Sequence, residues 1–354
     1  MKKVLFALCA VSLLAFSACK KDNVEPENTT STQTNNNQNG DNDQIPSGEG
    51  YYNPGARIME IKVDGETAQL WDWTNGLLMS IREADSNGNM TNANTFTYDN
   101  KRLSTATMSM MDMPITASYT YQGNLLSTMG AAMGPMIVGN IVYDHNADNK
   151  IDHMKVNINE QVLGMLGQLL GSGLLGNIGN LFGKGPQQKM NLTGSNIDVY
   201  MQWQGNNVSR QRVSAEIEGS ITVGEIRQFV NVDSLPSSVP SIVRILINAM
   251  NDSVSVPATI VLYDTIDMTY DENPNPFCGF LGRLEPSAYS ANNVMTSRNA
   301  ASAKVTFNVG SYELPFPLDL PIGGTETFTY TYDAAGYPET VTNGDGSVMK
   351  YIYQ

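Results

Sequence analysis

The stretch Asp144-His145-Asn146-Ala147-Asp148-Asn149-Lys150-Ile151-Asp152 gathers hard oxygen donors into one short polar segment. Asp144, Asn146, Asp148 and Asp152 occupy the first, third, fifth and ninth places of a calcium-loop pattern, with Ile151 at its apolar eighth place. Such spacing lets one tight turn aim several carboxylate and amide oxygens at a cation. Asn149 stands where the pattern wants glycine, and asparagine tolerates left-handed backbone. Lys155 stands where a bidentate acid belongs, which removes two ligand oxygens and adds a positive charge. The segment therefore reads either as a weak calcium loop or as a long polar hairpin turn. Calcium is the one cofactor the sequence suggests.

The remaining chemistry is sparse. His145 and His153 are the only histidines, so a Ser-His-Asp or Cys-His pair could form only around this segment. No Gly-x-Ser-x-Gly elbow, P-loop or dinucleotide fingerprint is present. Cys278 has no histidine near it in sequence and lies among aromatics, which suits an inert buried thiol better than a nucleophile. Carboxylates are plentiful, and a glycosidase needs only two of them about 5 to 10 Å apart, but nothing marks a specific pair. Trp71, Trp73 and Trp203 sit near hairpin ends, where indole faces can stack on sugars; Trp71 and Trp73 share a strand face, so they serve equally as core. The net charge of -14 makes nucleic acid and acidic surfaces poor partners.

The N-terminus says where the chain goes. Lys2 and Lys3 precede an apolar run from Val4 to Phe16, too short to span a bilayer that needs about 20 residues. The run ends in Phe16-Ser17-Ala18-Cys19. Residues 1–18 read as a leader, and the small residues before Cys19 resemble the lipobox of bacterial lipoproteins, a resemblance that implies a cut before Cys19 and lipid on that cysteine. Within residues 19–54, the stretch from Glu25 to Gly50 is nearly all Asn, Thr, Gln, Asp, Ser, Gly, Glu and Pro, a composition that cannot bury enough apolar surface to offset chain entropy. Residues 19–54 read as a polar tether. With Cys9 in the leader and Cys19 acylated, Cys278 has no partner for a disulfide, and the fold must rest on its core.

Residues 55–354 read as one mainly β domain. An alternating strand ends in an aromatic, a polar turn follows, and a second strand begins. Trp73-Thr74-Asn75-Gly76, Tyr98-Asp99-Asn100-Lys101, Tyr121-Gln122-Gly123-Asn124, Tyr143-Asp144-His145-Asn146, Trp203-Gln204-Gly205-Asn206 and Tyr332-Asp333-Ala334-Ala335-Gly336 all fit. The first four recur at the length of two strands and two turns, which predicts a meander of hairpins. The flanks alternate with period two, as in Phe96 and Tyr98 or Val305, Phe307 and Val309. The fold expected is a large curved antiparallel sheet or partial barrel with one or two short helical insertions. One insertion, near 160–186, is apolar and glycine-rich. The other, near 236–251, carries Pro240 ahead of a Val243, Leu246, Ile247, Met250 stripe and predicts a helix.

Phe16-Ser17-Ala18-Cys19 resembles the lipobox of bacterial lipoproteins, with Phe16 in the usual leucine place. The lysines after Cys19 resemble those of Bacteroidetes-type lipoproteins. The Tyr-Asp turns resemble YD repeats of the Rhs class, without their Gly-Arg-Leu continuation, and Tyr270-Asp271-Glu272-Asn273-Pro274-Asn275-Pro276-Phe277-Cys278-Gly279 resembles a strand-exit motif of Bacteroidetes lipoproteins. Together these features resemble a family of unknown function described as having a porin-like fold. The resemblance implies a lipid-held, curved β-sheet and carries no activity or site residue.

The function these readings favour is an exported lipoprotein of the outer membrane. It would face the periplasm or cell surface, be anchored through its lipid, and act as a non-catalytic binding or accessory protein. Its partner would be a glycan or an outer-membrane protein. A glycan hydrolase is the alternative, and a structural or pore-associated barrel is a second. Glu60, Lys62, Asp64 and Lys304 on strands fit water better than lipid.

Overall fold

The structure is a computed structural model that describes residues 57–84, 88–110, 113–162, 191–229, 239–278, 288–318 and 323–354. The leader, Cys19, the tether and nearly all of the glycine-rich insertion lie outside them. Asn-Gly and related turns fold the chain into consecutive antiparallel hairpins. They run β1 (Ile58–Val63), β2 (Glu66–Thr74), β3 (Leu77–Ala84), β4 (Met90–Asp99), β5 (Arg102–Met110), β6 (Met113–Gln122), β7 (Leu125–Met133), β8 (Met136–His145) and β9 (Ile151–Ile158). Longer strands follow: β10 (Asn191–Gln204), β11 (Asn207–Thr222), β12 (Ser255–Pro274) and β13 (Asn292–Val309). The chain ends with β14 (Tyr312–Leu318), β15 (Gly323–Tyr332), β16 (Pro338–Asn343) and β17 (Val348–Tyr353).

Each strand but β14 pairs with the next, β13 pairs with both β14 and β15, and β17 pairs with β1, so the sheet closes. β14 pairs with the second half of β13 (Ala303–Val309) and β15 with its first half (Thr296–Ala300). These two strands therefore occupy one place in the wall, and the result is a 16-strand antiparallel closed barrel. The expected curved antiparallel sheet or partial barrel is thus present and goes to full closure, through the pairing of the short terminal strands β1 and β17.

The recurring aromatics all lie at one end, here the base. The two residues of the first base turn, Asn75 (φ 52°) and Gly76 (φ 80°), supply the positive φ of a type I′ turn. At five of the base hairpins a bulge precedes an aromatic, as between Asp72 and Trp73, Thr97 and Tyr98, Thr120 and Tyr121, Gln202 and Trp203, and Thr331 and Tyr332. The bulge re-aims the side chain; Tyr332 then donates to the Asp271 carboxylate, and the other four polar tips cap a carbonyl where an upward strand begins. Trp73 Nε1–H donates to Ile58 O (2.7 Å), Tyr98 Oη–H to Leu78 O (2.7 Å) and Tyr121 Oη–H to Leu103 O (2.9 Å). Trp203, Tyr270, Tyr330 and Tyr353 do the same to Ile151, Val208, Val294 and Pro338.

Period-two alternation gives the wall two unlike faces. The inner face is apolar: Leu78, Leu103, Ile141, Met154 and Val208 have no exposed surface. A round wall of this many strands leaves an aqueous channel; here the buried lining belongs to a continuous core, so those levels of the interior are filled by side chains. The outer face is mostly polar, with a few exposed apolar side chains such as Ile137 and Tyr263. Threonine hydroxyls pair across it at Thr97–Thr105, Thr120–Thr128, Thr269–Thr296 and Thr331–Thr340 (2.6–2.7 Å). Arg82 grips Asp72 with two bonds of 2.9 Å, and Arg210 pairs with Asp267. A lipid-facing wall would need the reverse pattern.

On the β10–β13 side the strands rise higher, and their inner face carries a second core of Ile217, Ile221, Val256, Val305 and Phe307. Two helices cover it. The first, α1 (Val223–Phe229), opens with a capping box: Glu225 Oε2 accepts from Thr222 N–H (2.8 Å), and Glu225 N–H donates to Thr222 Oγ1 (3.3 Å). The second, α2 (Ser241–Ala249), follows Pro240 as expected and buries Val243 and Ile247. Arg227 of α1 caps its C-terminus, donating to Ile247 O, Asn248 O and Met250 O. At the far edge, β14 carries Pro315 and Pro317. With no N–H of their own, these blunt a free edge against strand addition.

Candidate functional site

The inner face of the tall wall holds a carboxylate. On β12 the inward positions run Ala258, Ile260, Leu262, Asp264, Ile266 and Met268. Asp264 is only 6% exposed. Across the ladder it pairs with Val213 on β11 and Ala301 on β13. Asn299 of β13 donates from Nδ2 to Asp264 Oδ2 (3.3 Å). Gln211, one position along on β11, is also buried. The other two oxygens of this pair, Asp264 Oδ1 and Asn299 Oδ1, are buried without a hydrogen-bond partner among the described residues. Burial lifts the Asp264 carboxyl above its ordinary range, and hydrogen bonds from the Asn299 side chain and the Thr265 backbone only partly oppose this.

The lining around Asp264 is only half-covered. Val213, Ile260, Leu262, Ile266, Asn299 and Ala301 face inward and are half-buried, as are other core-packed residues such as Tyr98 and Met133. They lie where the main core gives way to the helix-covered core. The site is thus a gap in the side-chain cover, apolar around its rim, with two buried acceptor oxygens that lack a partner among the described residues. A second inward polar set is complete in itself: Trp71 Nε1–H donates to Gln69 Oε1 (3.1 Å), and Gln69 Nε2 donates to Glu83 Oε1 (3.0 Å).

The residues singled out by sequence take other places. Trp71 is 1% exposed and packs edge-on to Phe277 at 6.3 Å, so its faces belong to the core. Trp73 and Trp203 are base caps, and the Lys150 ammonium lies 5.2 Å from the centre of the Trp203 ring. Lys150 also donates to Gly205 O (2.7 Å) and Asn206 Oδ1 (2.9 Å), tying two base turns together.

In the calcium-like segment, Asn146 Oδ1 accepts from the N–H groups of Asp148 (2.9 Å) and Lys150 (3.1 Å), which is an Asx-type turn. Asp144 Oδ2 meets His153 Nδ1 at 2.9 Å, and Asp198 Oδ1 meets His153 Nε2 at 2.8 Å on the opposite side of the ring. Asp144 and Asp198 therefore converge on the imidazole. No group of three or more His, Cys, Asp or Glu among the described residues is placed to hold a metal ion. Tyr200 stacks on the same ring at 4.5 Å. Burial pulls the His153 pKa down, but the hydrogen bonds and charges of Asp144 and Asp198 outweigh it, and the net shift is upward. His145 is shifted downward, chiefly by burial. Cys278 is a free thiol whose surroundings push it up to about 12, well away from a nucleophile's range.

Sequence reasoning missed the Asp264 gap. Its signal was present: Leu262, Asp264 and Ile266 share one parity in an alternating strand, which puts a charge on the apolar face.

No protein-family model matches the chain, and no curated protein matches it. Among solved structures it is similar to a porin-like protein from Bacteroides vulgatus, at 11% identity and a TM-score of 0.28, over 84% of this chain and 98% of that one. A likeness of that size assigns no activity.

Proposed function

We propose that the chain is an exported, lipid-anchored barrel that stands in water and binds a ligand without catalysis. The polarity of the wall carries this reading. Threonine ladders and ion pairs cover its outside and the apolar residues turn inward, the arrangement of a barrel that needs solvent around it. The leader and Cys19 supply the anchor, and the polar segment after them the tether. No nucleophile, base and acid converge among the described residues, and the Asp264 gap offers recognition groups instead.

Proteolytic cleavage within residues 20–50 of the membrane-bound protein tests the proposal. The released domain is expected to stay in solution without detergent and keep a β-type circular dichroism spectrum, and Cys19→Ser is expected to abolish lipid labelling. A domain that leaves the membrane only in detergent refutes it.

A further inference from the structure

We infer that the gap beside Asp264 and Asn299 is a subsite for an ammonium group carried on an apolar chain. This deepens the binding reading above and rests on it. Two oxygens, Asp264 Oδ1 and Asn299 Oδ1, are buried and unpaired among the described residues. Both are acceptors, so what they lack is a donor. An unpaired buried acceptor loses the hydrogen bond it made to water, and a carboxylate loses most. An ammonium brings three N–H donors and a compensating charge, enough to reach both oxygens at once. The Asn299 amide already donates to Asp264 Oδ2 at 3.3 Å, which holds the two side chains together and leaves their free oxygens to the ligand.

The surroundings define the rest of the molecule. Val213, Leu262, Ile266 and Ala301 face inward around the carboxylate and remain half-buried, so apolar surface is still available there. A hydrocarbon chain covers such surface favourably. A fully polar amine would leave it uncovered, and a carboxylate-headed chain would set like charge against Asp264. The direction of the Asp264 shift agrees with this: burial disfavours the charge of the carboxylate, and a bound cation would favour it.

The test uses the full chain carrying Cys19→Ser, so that no detergent competes. Dodecylammonium, dodecanol and dodecanoate are titrated calorimetrically. Dodecylammonium is expected to bind roughly tenfold or more tightly than dodecanol, and dodecanoate most weakly. Asp264→Asn should erase the preference for the amine and leave dodecanol affinity unchanged. If that variant does not fold, Asn299→Ala should still reduce the preference severalfold.

Equal affinity for amine and alcohol, or a preference that survives Asp264→Asn, overturns the inference while the binding reading stands. So does a protonated-carboxyl infrared band at neutral pH, lost in Asp264→Asn, in a protein that does not favour the amine; that result assigns the two oxygens to an acid–amide pair. If none of the three probes binds, the binding reading itself fails.

Discussion

His153 provides a pH-dependent stability that can be isolated by one substitution. Both ring nitrogens face carboxylates, Nδ1 toward Asp144 and Nε2 toward Asp198, so both bonds are satisfied only when the ring carries both protons. The folded-state pKa is raised. A raised pKa stabilises the fold below the unfolded value, about 6.5 for histidine, and that stability fades as pH climbs through the folded value. Two charge-assisted bonds are worth about 1.5–3 kcal/mol each at best. Asp144, however, is 63% exposed and solvent screens it, whereas Asp198 is 20% exposed. The pair together is therefore worth about 1 kcal/mol.

His153→Gln keeps a polar side chain but cannot carry the charge. Urea unfolding at about pH 5.5 should show the variant about 1 kcal/mol less stable than the parent, and at about pH 9 the two should nearly coincide. Asp198→Asn should remove most of the same difference. A deficit equal at both pH values, or larger at the alkaline one, would show that packing against Tyr200, and not the shared proton, is what the histidine contributes.

Other expectations follow from the wall itself. Tyr98→Phe removes the cap on Leu78 O and should cost about 1 kcal/mol by chemical denaturation, since it strands a carbonyl. Tyr143→Phe should be neutral or stabilising in the same assay, because the Tyr143 hydroxyl is buried without a partner among the described residues. Arg227→Met should uncap α2 and raise amide hydrogen exchange in Ser241–Ala249 by about tenfold or more, leaving the base hairpins unchanged.

Turn chemistry and parity made most of the barrel legible. Asn75-Gly76 and Gly205-Asn206 announced hairpins, and the aromatic before each turn marked the base. Pro240 and the Val243–Ile247 spacing located α2. The helix from Val223 was equally announced by Thr222 and Glu225 as a capping box, but it follows directly on a long alternating strand and is short, and the strand pattern masked it. What the aromatics do could not be read locally. The Trp203 cap reaches Ile151 and the Tyr270 cap reaches Val208, partners set by strand register and bulges. The tryptophans read equally as sugar platforms or as core, because sequence shows a ring near a turn and not which way a bulge swings it. The closure of the sheet was equally hidden, since no local signal pairs Ile58 with Tyr353.

That last pairing has a kinetic consequence. Gln354 N–H donates to Arg57 O at 2.9 Å, and the strand before it zips onto the first strand of the wall. Hairpins from β2 to β9 can form as they emerge, each on the microsecond scale. The seam can close only after some 290 intervening residues have been made, and contacts so distant in sequence are the slow ones to form. Until then the chain is an open ribbon with apolar residues on one face and bare strand edges at its margins. A cell that makes this protein must therefore keep it from sticking to itself for the whole interval between the first hairpin and the last.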